Sequence, residues 1–153
     1  MLSTMTYVPP GGGASHRMID GDHVAKAAVA DRLASFEVFE VNAQAGPPAP
    51  PHVSPWTGVM YLLEGGVTAQ MDGQTVEVEP GGLAVFPAGA ACTFTVTAGP
   101  ARFLAITSGD QAGRFFADFA ASVSPDAPLE SALPDIMAVT DRHGVRVAPP
   151  AAG

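Results

Sequence analysis

Apolar and polar residues alternate over short stretches through the middle of the chain, and this period predicts β-strands. Gln74–Glu79 places Val76 and Val78 between Glu77 and Glu79, the pattern of a strand buried on one face. Runs rich in β-branched and aromatic residues predict further strands at 36–41, 58–64, 67–71, 83–86, 91–97 and 101–107.

Glycine and proline separate these runs at regular intervals. Asp72-Gly73 predicts a two-residue hairpin turn, and Gly65-Gly66 and Gly99-Pro100 are read as breaks between strands. Many short strands with such punctuation indicate a closed barrel or jelly roll. Residues 24–30 stay undecided, because an alanine-rich helical composition competes there with neighbouring strand patterns.

The pattern changes to a helical period after residue 110. Phe115, Phe116 and Phe119 share one face of a helix predicted from about Gln111 to Val123. A second helix is predicted from about Pro134 to His143. Its face holds Ile136, Val139, Thr140 and His143, and Gly144 stands where a C-cap belongs. We expect both helices to pack on the outside of the barrel.

The chain divides into one domain with two short ends. The sequence pattern predicts a flexible arm at 1–14, a β-barrel at 15–110, helices packed on the barrel at 111–148 and a flexible tail at 149–153. The proline-rich stretch 46–51 precedes His52 inside the barrel and is predicted to be a loop at the mouth of its cavity.

Charge and cysteine content narrow the function classes. Seven basic and fifteen acidic residues give a net charge of −8, which argues against nucleic acid or an anionic membrane as partner. The single cysteine, Cys92, excludes an intrachain disulfide. With no signal-peptide pattern and no apolar stretch of membrane-spanning length, a cytoplasmic location is predicted.

Two spaced motifs resemble those of the cupin family, G-x5-H-x-H-x3-E-x6-G and G-x5-P-x-G-x2-H-x3-N. The first is matched in spacing by Gly46, His52, Ser54, Gly58 and Gly65, and the second by Gly81, Pro87, Gly89, Cys92 and Val96. Residues 61–65, 101–104 and 114–116, with the end of the second helix, resemble quercetinase-like cupins in particular. The resemblance implies an all-β fold, a single jelly-roll or double-stranded β-helix barrel with two C-terminal helices, and a homodimer.

The same resemblance identifies four interior positions that hold metal ligands in the family. Here they carry His52, Ser54, Gly58 and Cys92. Serine is a poor ligand and glycine offers none, so two donors remain where catalytic zinc sites keep three. We therefore predict no metal and no other cofactor.

The interior side chains are candidates for a small-molecule site. His52 is predicted to transfer protons, with Cys92 as an assisting group, because imidazole titrates near neutral pH. Each also has a structural interpretation, as a histidine bonded to a backbone carbonyl and as a small buried thiol. Substrate contacts are predicted for Ser54, Trp56, Met60, Leu62 and Phe94, which otherwise form plain core.

Three functions remain open on the sequence. The first is a metal-independent cyclase, isomerase or lyase that uses His52 on an aromatic or polyketide-like molecule. The second is a quercetinase-like dioxygenase with an altered metal site. The third is a module that binds a small molecule without catalysis.

Overall fold

The computed structural model describes residues 4–47 and 49–148. The predicted tail 149–153, the first three residues of the predicted arm and Pro48 of the proline-rich loop lie outside the described residues. The division into arm, barrel, helices and tail stays a prediction.

The described residues form a curled antiparallel sheet followed by two helices and a last short strand. The segment 24–30, which the sequence left undecided, lies in a strand. The elements in chain order are β1 (Ser15–Met18), β2 (Gly21–Ala30), β3 (Ser35–Ala43), β4 (His52–Val53), β5 (Gly58–Met71), β6 (Gln74–Val78), β7 (Leu83–Phe86), β8 (Ala91–Ser108), α1 (Ala112–Ser122), α2 (Leu129–Arg142) and β9 (Arg146–Val147).

The two longest strands, β5 and β8, pair along their whole lengths and form the spine of the sheet. Strands β6 and β7 pair with β5. On the other edge of β8, its C-terminal half pairs with β3, and its first two residues pair with β4. The sheet continues from β3 to β2 and β1, and from β4 to β9. The predicted all-β barrel with two C-terminal helices is confirmed.

A bend in the spine replaces two predicted strand breaks. Gly65 has a φ of +86°, and a Cβ there would lie 2.5 Å from the carbonyl oxygen of Ala98. Only glycine accommodates both the positive φ and this close approach. The β5–β8 register shifts at the same place, so both strands bend together and continue past Gly65-Gly66 and Gly99-Pro100.

The two sides of the curled sheet differ in burial. Phe39, Leu62 and Phe103 point to the concave side and are at most 3% exposed. The core of the protein therefore lies inside the curl. The core does not extend to the end of the β5–β6 hairpin. Val78 is buried as predicted, but Val76 lies on an edge strand close to the turn and is 45% exposed.

Helix α1 covers the open side of the concave face. The ring centroid of Phe116 lies 4.4 Å from that of His23 and 5.0 Å from that of Phe39, and both partners point inward. Phe115 stands 5.7 Å from Trp56. The aromatic face predicted for this helix is therefore part of the core, where the sequence analysis placed the helices outside the barrel.

Helix α2 packs against α1 and begins five residues before the predicted start. Its buried face extends upstream to Ala132, and Pro134 lies within the helix. Asp118 of α1 joins the two helices. It accepts two hydrogen bonds from Arg142, each of 3.0 Å, and lies 2.7 Å from Nε2 of His143. Gly144 then ends the helix at a φ of +68°, as predicted.

The helix pair should make stability sensitive to acid. Hydrogen bonds from Arg142, His143 and Ser122 hold the pKa of Asp118 well below its ordinary value. A carboxyl group of this kind stabilises the fold above its unfolded pKa of about 3.9, and the contribution is lost as pH falls through the folded pKa. Asp118→Asn should lower the melting temperature at pH 7, with the difference from wild type shrinking below about pH 4.

Asp135→Asn, at an exposed carboxylate on α2, is the matched control and should leave the melting temperature nearly unchanged at both pH values. A difference between Asp118→Asn and wild type that stays constant down to pH 2–3 would show that the ionised carboxylate does not hold the helices together.

Candidate functional site

One row of side chains crosses the concave face near the start of β5. Strand pairing aligns Phe86, Gly58, Thr107 and Glu37 across four neighbouring strands. Thr107 is 4% exposed, and Met60, two residues beyond Gly58 on the same side of β5, is 3% exposed. The row therefore faces the interior.

Gly58 leaves open space in this row. A Cβ built at this position meets no atom within 4 Å. The next row places the small side chains of Ala84 and Ala105 on either side of Met60. The concave face is thus lined by small and apolar groups around the position where the cupin motif has a glutamate.

The hydroxyl of Thr107 stands beside this space. Thr107 and Gly58 are directly opposite each other, and the threonine Oγ1 is buried with no hydrogen-bond partner among the described residues. A buried hydroxyl without a partner costs about 1–3 kcal/mol, so such groups almost always have one. The hydroxyl is therefore available to a small molecule that reaches the interior at Gly58.

Glu37 is the last residue of this row and lies on β3, opposite Thr107. Its Oε1 accepts a hydrogen bond of 3.0 Å from the backbone N–H of Gly113, in the first turn of α1. A negative charge at a helix N-terminus is favourable because the helix dipole is positive there. This bond fixes the start of α1 over the concave face.

His52 and Cys92 are cross-strand neighbours in the structure. They are paired residues of β4 and β8, so their side chains share one face. Each side chain bonds a carbonyl two residues upstream: Nδ1 of His52 lies 3.4 Å from the oxygen of Pro50, and Sγ of Cys92 lies 3.4 Å from that of Ala90.

The two side chains differ in what they can do chemically. Because a carbonyl only accepts, the contact to Pro50 assigns the Nδ1 proton of His52 and leaves Nε2 as an acceptor in the neutral ring. Burial, with a smaller effect from the nearby Asp72 carboxylate, raises the pKa of the Cys92 thiol. This shift is opposite to the lowered pKa that activates a nucleophilic cysteine.

The predicted substrate-contact residues fall into two groups. Ser54 is half-buried, and its carbonyl accepts a 3.0 Å bond from the N–H of Gly89. Phe94 is half-buried with its ring edge-on to Phe103 at 5.5 Å. The other three residues belong to the packed core: Trp56 is 8% exposed, Met60 is 3% exposed and Leu62 is 0% exposed.

Trp56 lies in the loop between β4 and β5, and its side chain is buried against α1. The roles of these residues in binding or catalysis stay predictions. Sequence reasoning missed Thr107, although it continues the inward positions of Phe103 and Ala105 and is the polar member of that series.

Two cavities lie away from the concave face. One of about 650 Å³ lies between α2 and the β4–β9 pair and is lined in part by Val53 and Thr140. The other, of about 200 Å³, lies beside Arg114 and Arg142, whose charges are already paired with Asp110 and Asp118. Neither contains the predicted site residues.

A family model identifies the barrel. Residues 38–107 match the model described as a cupin domain. The chain therefore contains a cupin domain over these residues. The quercetinase-like subtype stays a prediction, and no curated protein matches the sequence.

Several solved structures share the fold at low sequence identity. KdgF from Halomonas sp. superposes with a TM-score of 0.63 at 13% identity, over 72% of this chain and 99% of that one. The polyketide cyclase RemF from Streptomyces resistomycificus gives 0.58 at 23% identity, over 70% and 81%. A mutant of Bacillus subtilis oxalate decarboxylase OxdC gives 0.59 at 16% identity, over 71% and 30%.

The interior of this cupin does not fit the metal that the family motif holds. Of the four motif positions, only His52 and Cys92 carry donors. Among residues 4–47 and 49–148, no group of three or more His, Cys, Asp or Glu side chains is arranged to hold a metal ion.

Within residues 4–47 and 49–148, no helix has the length and hydropathy of a membrane span.

The raised pKa of Cys92 predicts an unreactive thiol. Because the thiolate is the reactive form and the native thiol is buried, 5,5′-dithiobis(2-nitrobenzoic acid) should label native protein at pH 7 more slowly than urea-unfolded protein. The unfolded chain serves as control, since it contains the same single cysteine. Equal labelling rates in both states would restore Cys92 as a candidate nucleophile.

Proposed function

We propose that this cupin binds a small, largely apolar or aromatic organic molecule on its concave face beside Gly58. The observation that carries the proposal is the open space at Gly58 next to the buried, unpartnered hydroxyl of Thr107. Apolar pockets with a few well-placed polar groups are typical of small-molecule sites. The ligand class is therefore a flat molecule with one group that hydrogen-bonds to Thr107.

The surrounding side chains support an apolar ligand of about one or two rings. Phe86 lies on one side of Gly58 in the same row, and Ala84, Ala105 and Met60 form the next row. Small residues replace the bulkier glutamate and histidine of the family motif at Gly58 and Ser54, which leaves volume for a ligand. RemF, named a polyketide cyclase, has a barrel of the same fold, and its name agrees with this class.

We further propose that the bound molecule reacts at His52. The family's ligand positions converge on one interior centre, so the resemblance directs His52 toward the ligand beside Gly58. The contact from Nδ1 to the carbonyl of Pro50 favours a proton on Nδ1, which leaves Nε2 to face the ligand. Such a base suits proton abstraction in a cyclase, isomerase or lyase reaction.

Three further expectations belong to this proposal. The protein is expected to act in the cytoplasm, in the secondary metabolism of its cell, and as a homodimer. The dioxygenase alternative lacks a supporting observation, since the motif positions do not supply a metal-binding set.

Replacement of Thr107 should separate ligand binding from stability. We expect Thr107→Val to weaken binding of 2-naphthol, a flat aromatic probe with one hydroxyl, by about 2- to 13-fold, the equivalent of one neutral hydrogen bond of about 0.5–1.5 kcal/mol. The free protein should become more stable in urea, because an unpartnered buried hydroxyl is removed. Binding is followed by NMR titration and stability by urea unfolding.

Thr93→Val is the matched control, because Thr93 is an equally buried threonine of β8 whose hydroxyl donates a 2.7 Å bond to Ala49. It should lower stability by about 1–3 kcal/mol and leave binding unchanged. Gly58→Leu should fill the open space and abolish binding. Binding that survives both Thr107→Val and Gly58→Leu would place the ligand elsewhere.

A second variant distinguishes an enzyme from a binding module. Metabolite extracts incubated with wild-type protein should show a compound that is consumed, and His52→Gln should slow its loss by about 100-fold or more while 2-naphthol still binds. The measurement is untargeted mass spectrometry over time. A compound that binds wild-type protein and is recovered unchanged would reject catalysis and leave a binding module.

A further inference from the structure

Three side chains with sulfur or nitrogen donors stand in one row across neighbouring strands. Strand pairing places Met71 of β5 opposite Cys92 of β8, and it places His52 of β4 opposite Cys92 on the other edge of β8. Directly opposite residues share one face of a sheet, with Cβ atoms about 5 Å apart. The thioether, the thiol and the imidazole are therefore neighbours, and together they are called the Met–Cys–His row.

The Met–Cys–His row faces the buried side of the sheet. Side chains two or four residues apart on a strand point to the same face, and Ala69 of β5 and Val96 of β8 are each 7% exposed on the face of this row. Cys92, the central member, is 8% exposed, whereas Met71 and His52 are half-buried. The three donors therefore stand on an apolar surface from which water is partly excluded.

The imidazole of His52 is oriented as metal-binding histidines usually are. Its Nδ1 lies 3.4 Å from the carbonyl oxygen of Pro50, which can only accept a hydrogen bond. Histidines that bind metals almost always donate their second ring N–H to such a carbonyl, because this bond fixes the tautomer and the ring. Nε2 is then left with a lone pair for an ion.

Charge at the Met–Cys–His row favours a monovalent cation. Burial and, to a smaller extent, the Asp72 carboxylate raise the pKa of the Cys92 thiol, because both disfavour an isolated thiolate. A cation of charge +1 bound to the thiolate forms a neutral pair, which costs less to keep in apolar surroundings than a net charge. The net charge of −8 also attracts cations to the protein.

We propose that the Met–Cys–His row binds one soft monovalent metal ion of the Cu(I) class through Sδ of Met71, Sγ of Cys92 and Nε2 of His52. Thiolate and thioether ligands select Cu(I), and imidazole also binds copper. Three donors with bonds of about 2.3 Å to one ion stand about 4 Å apart, within reach of side chains whose Cβ atoms are about 5 Å apart. Met71 lies outside both cupin motifs, so this site differs from the family's in its donors and in its metal.

Binding exchanges a proton for the ion without a change of oxidation state. The S–H bond of Cys92 breaks, a bond from sulfur to Cu(I) forms, and the proton leaves to water. Because the pKa of the thiol is raised, the affinity for Cu(I) should increase about tenfold from pH 7 to pH 8. The proposal does not rest on the small-molecule function, although a bound ion would occupy Nε2 of His52 and prevent proton transfer there.

Anaerobic titration with Cu(I) buffered by bicinchoninate tests the site. Wild-type protein should bind one equivalent, and X-ray absorption of the loaded protein should show two sulfur neighbours and one nitrogen neighbour of copper. Cys92→Ser and His52→Gln should each lower the affinity at least about 100-fold, and Met71→Leu at least about 10-fold, since loss of even an outer-shell partner costs about 10- to 100-fold. Circular dichroism verifies that the variants fold.

Met60→Leu is the matched control, because Met60 is a second inward methionine of β5 outside the row, and it should keep the wild-type affinity. Zn(II), which does not favour a thioether ligand, should bind more weakly than Cu(I). Wild-type protein that takes up no Cu(I) from bicinchoninate would overturn the proposal. A Met71→Leu variant of unchanged affinity, or tighter binding of Zn(II) than of Cu(I), would do so as well.

Discussion

The bent pairing of β5 with β8 is the constraint on which the rest of the structure depends. Gly65 lets the backbones of the two strands approach closely and bend together, so one continuous ribbon serves both parts of the curled sheet. One end of the ribbon sets Gly58 opposite Thr107, and the other sets Met71 opposite Cys92. A side chain at position 65 would disturb the interior and the convex face together.

The paired strands β5 and β8 also explain how the interior side chains can differ from the family motif while the fold is kept. Glycines and prolines of the cupin motifs hold turns and are kept, whereas the ligand positions point inward and contribute little to backbone geometry. Glycine, serine and cysteine at three of them remove charge from the concave face. The space at Gly58 and the hydroxyl of Thr107 then become its distinctive features.

Sequence reasoning predicted the barrel, both helices and the Asp72-Gly73 turn, because strand period and turn chemistry are local properties. It misread Gly65-Gly66 and Gly99-Pro100 as strand ends, since a glycine that permits a bend within a paired strand looks the same as one that ends it. The start of α2 was misjudged because Pro134 appears as a boundary in sequence.

Long-range packing accounts for the remaining differences. Whether α1 covers the concave or the convex side depends on contacts with His23, Phe39 and Trp56, which are distant in sequence. The lone hydroxyl of Thr107 and the Met–Cys–His row become visible only when the strand register is known. Both of the inferred binding sites therefore required the structure.

A high-resolution crystal structure of the protein soaked with 2-naphthol tests the central claim most directly. We predict density for the aromatic ring in the space at Gly58, with its hydroxyl within hydrogen-bond distance of Oγ1 of Thr107. A Thr107 hydroxyl bonded to a protein carbonyl, with Phe86 or Met60 filling the space at Gly58, would contradict the claim.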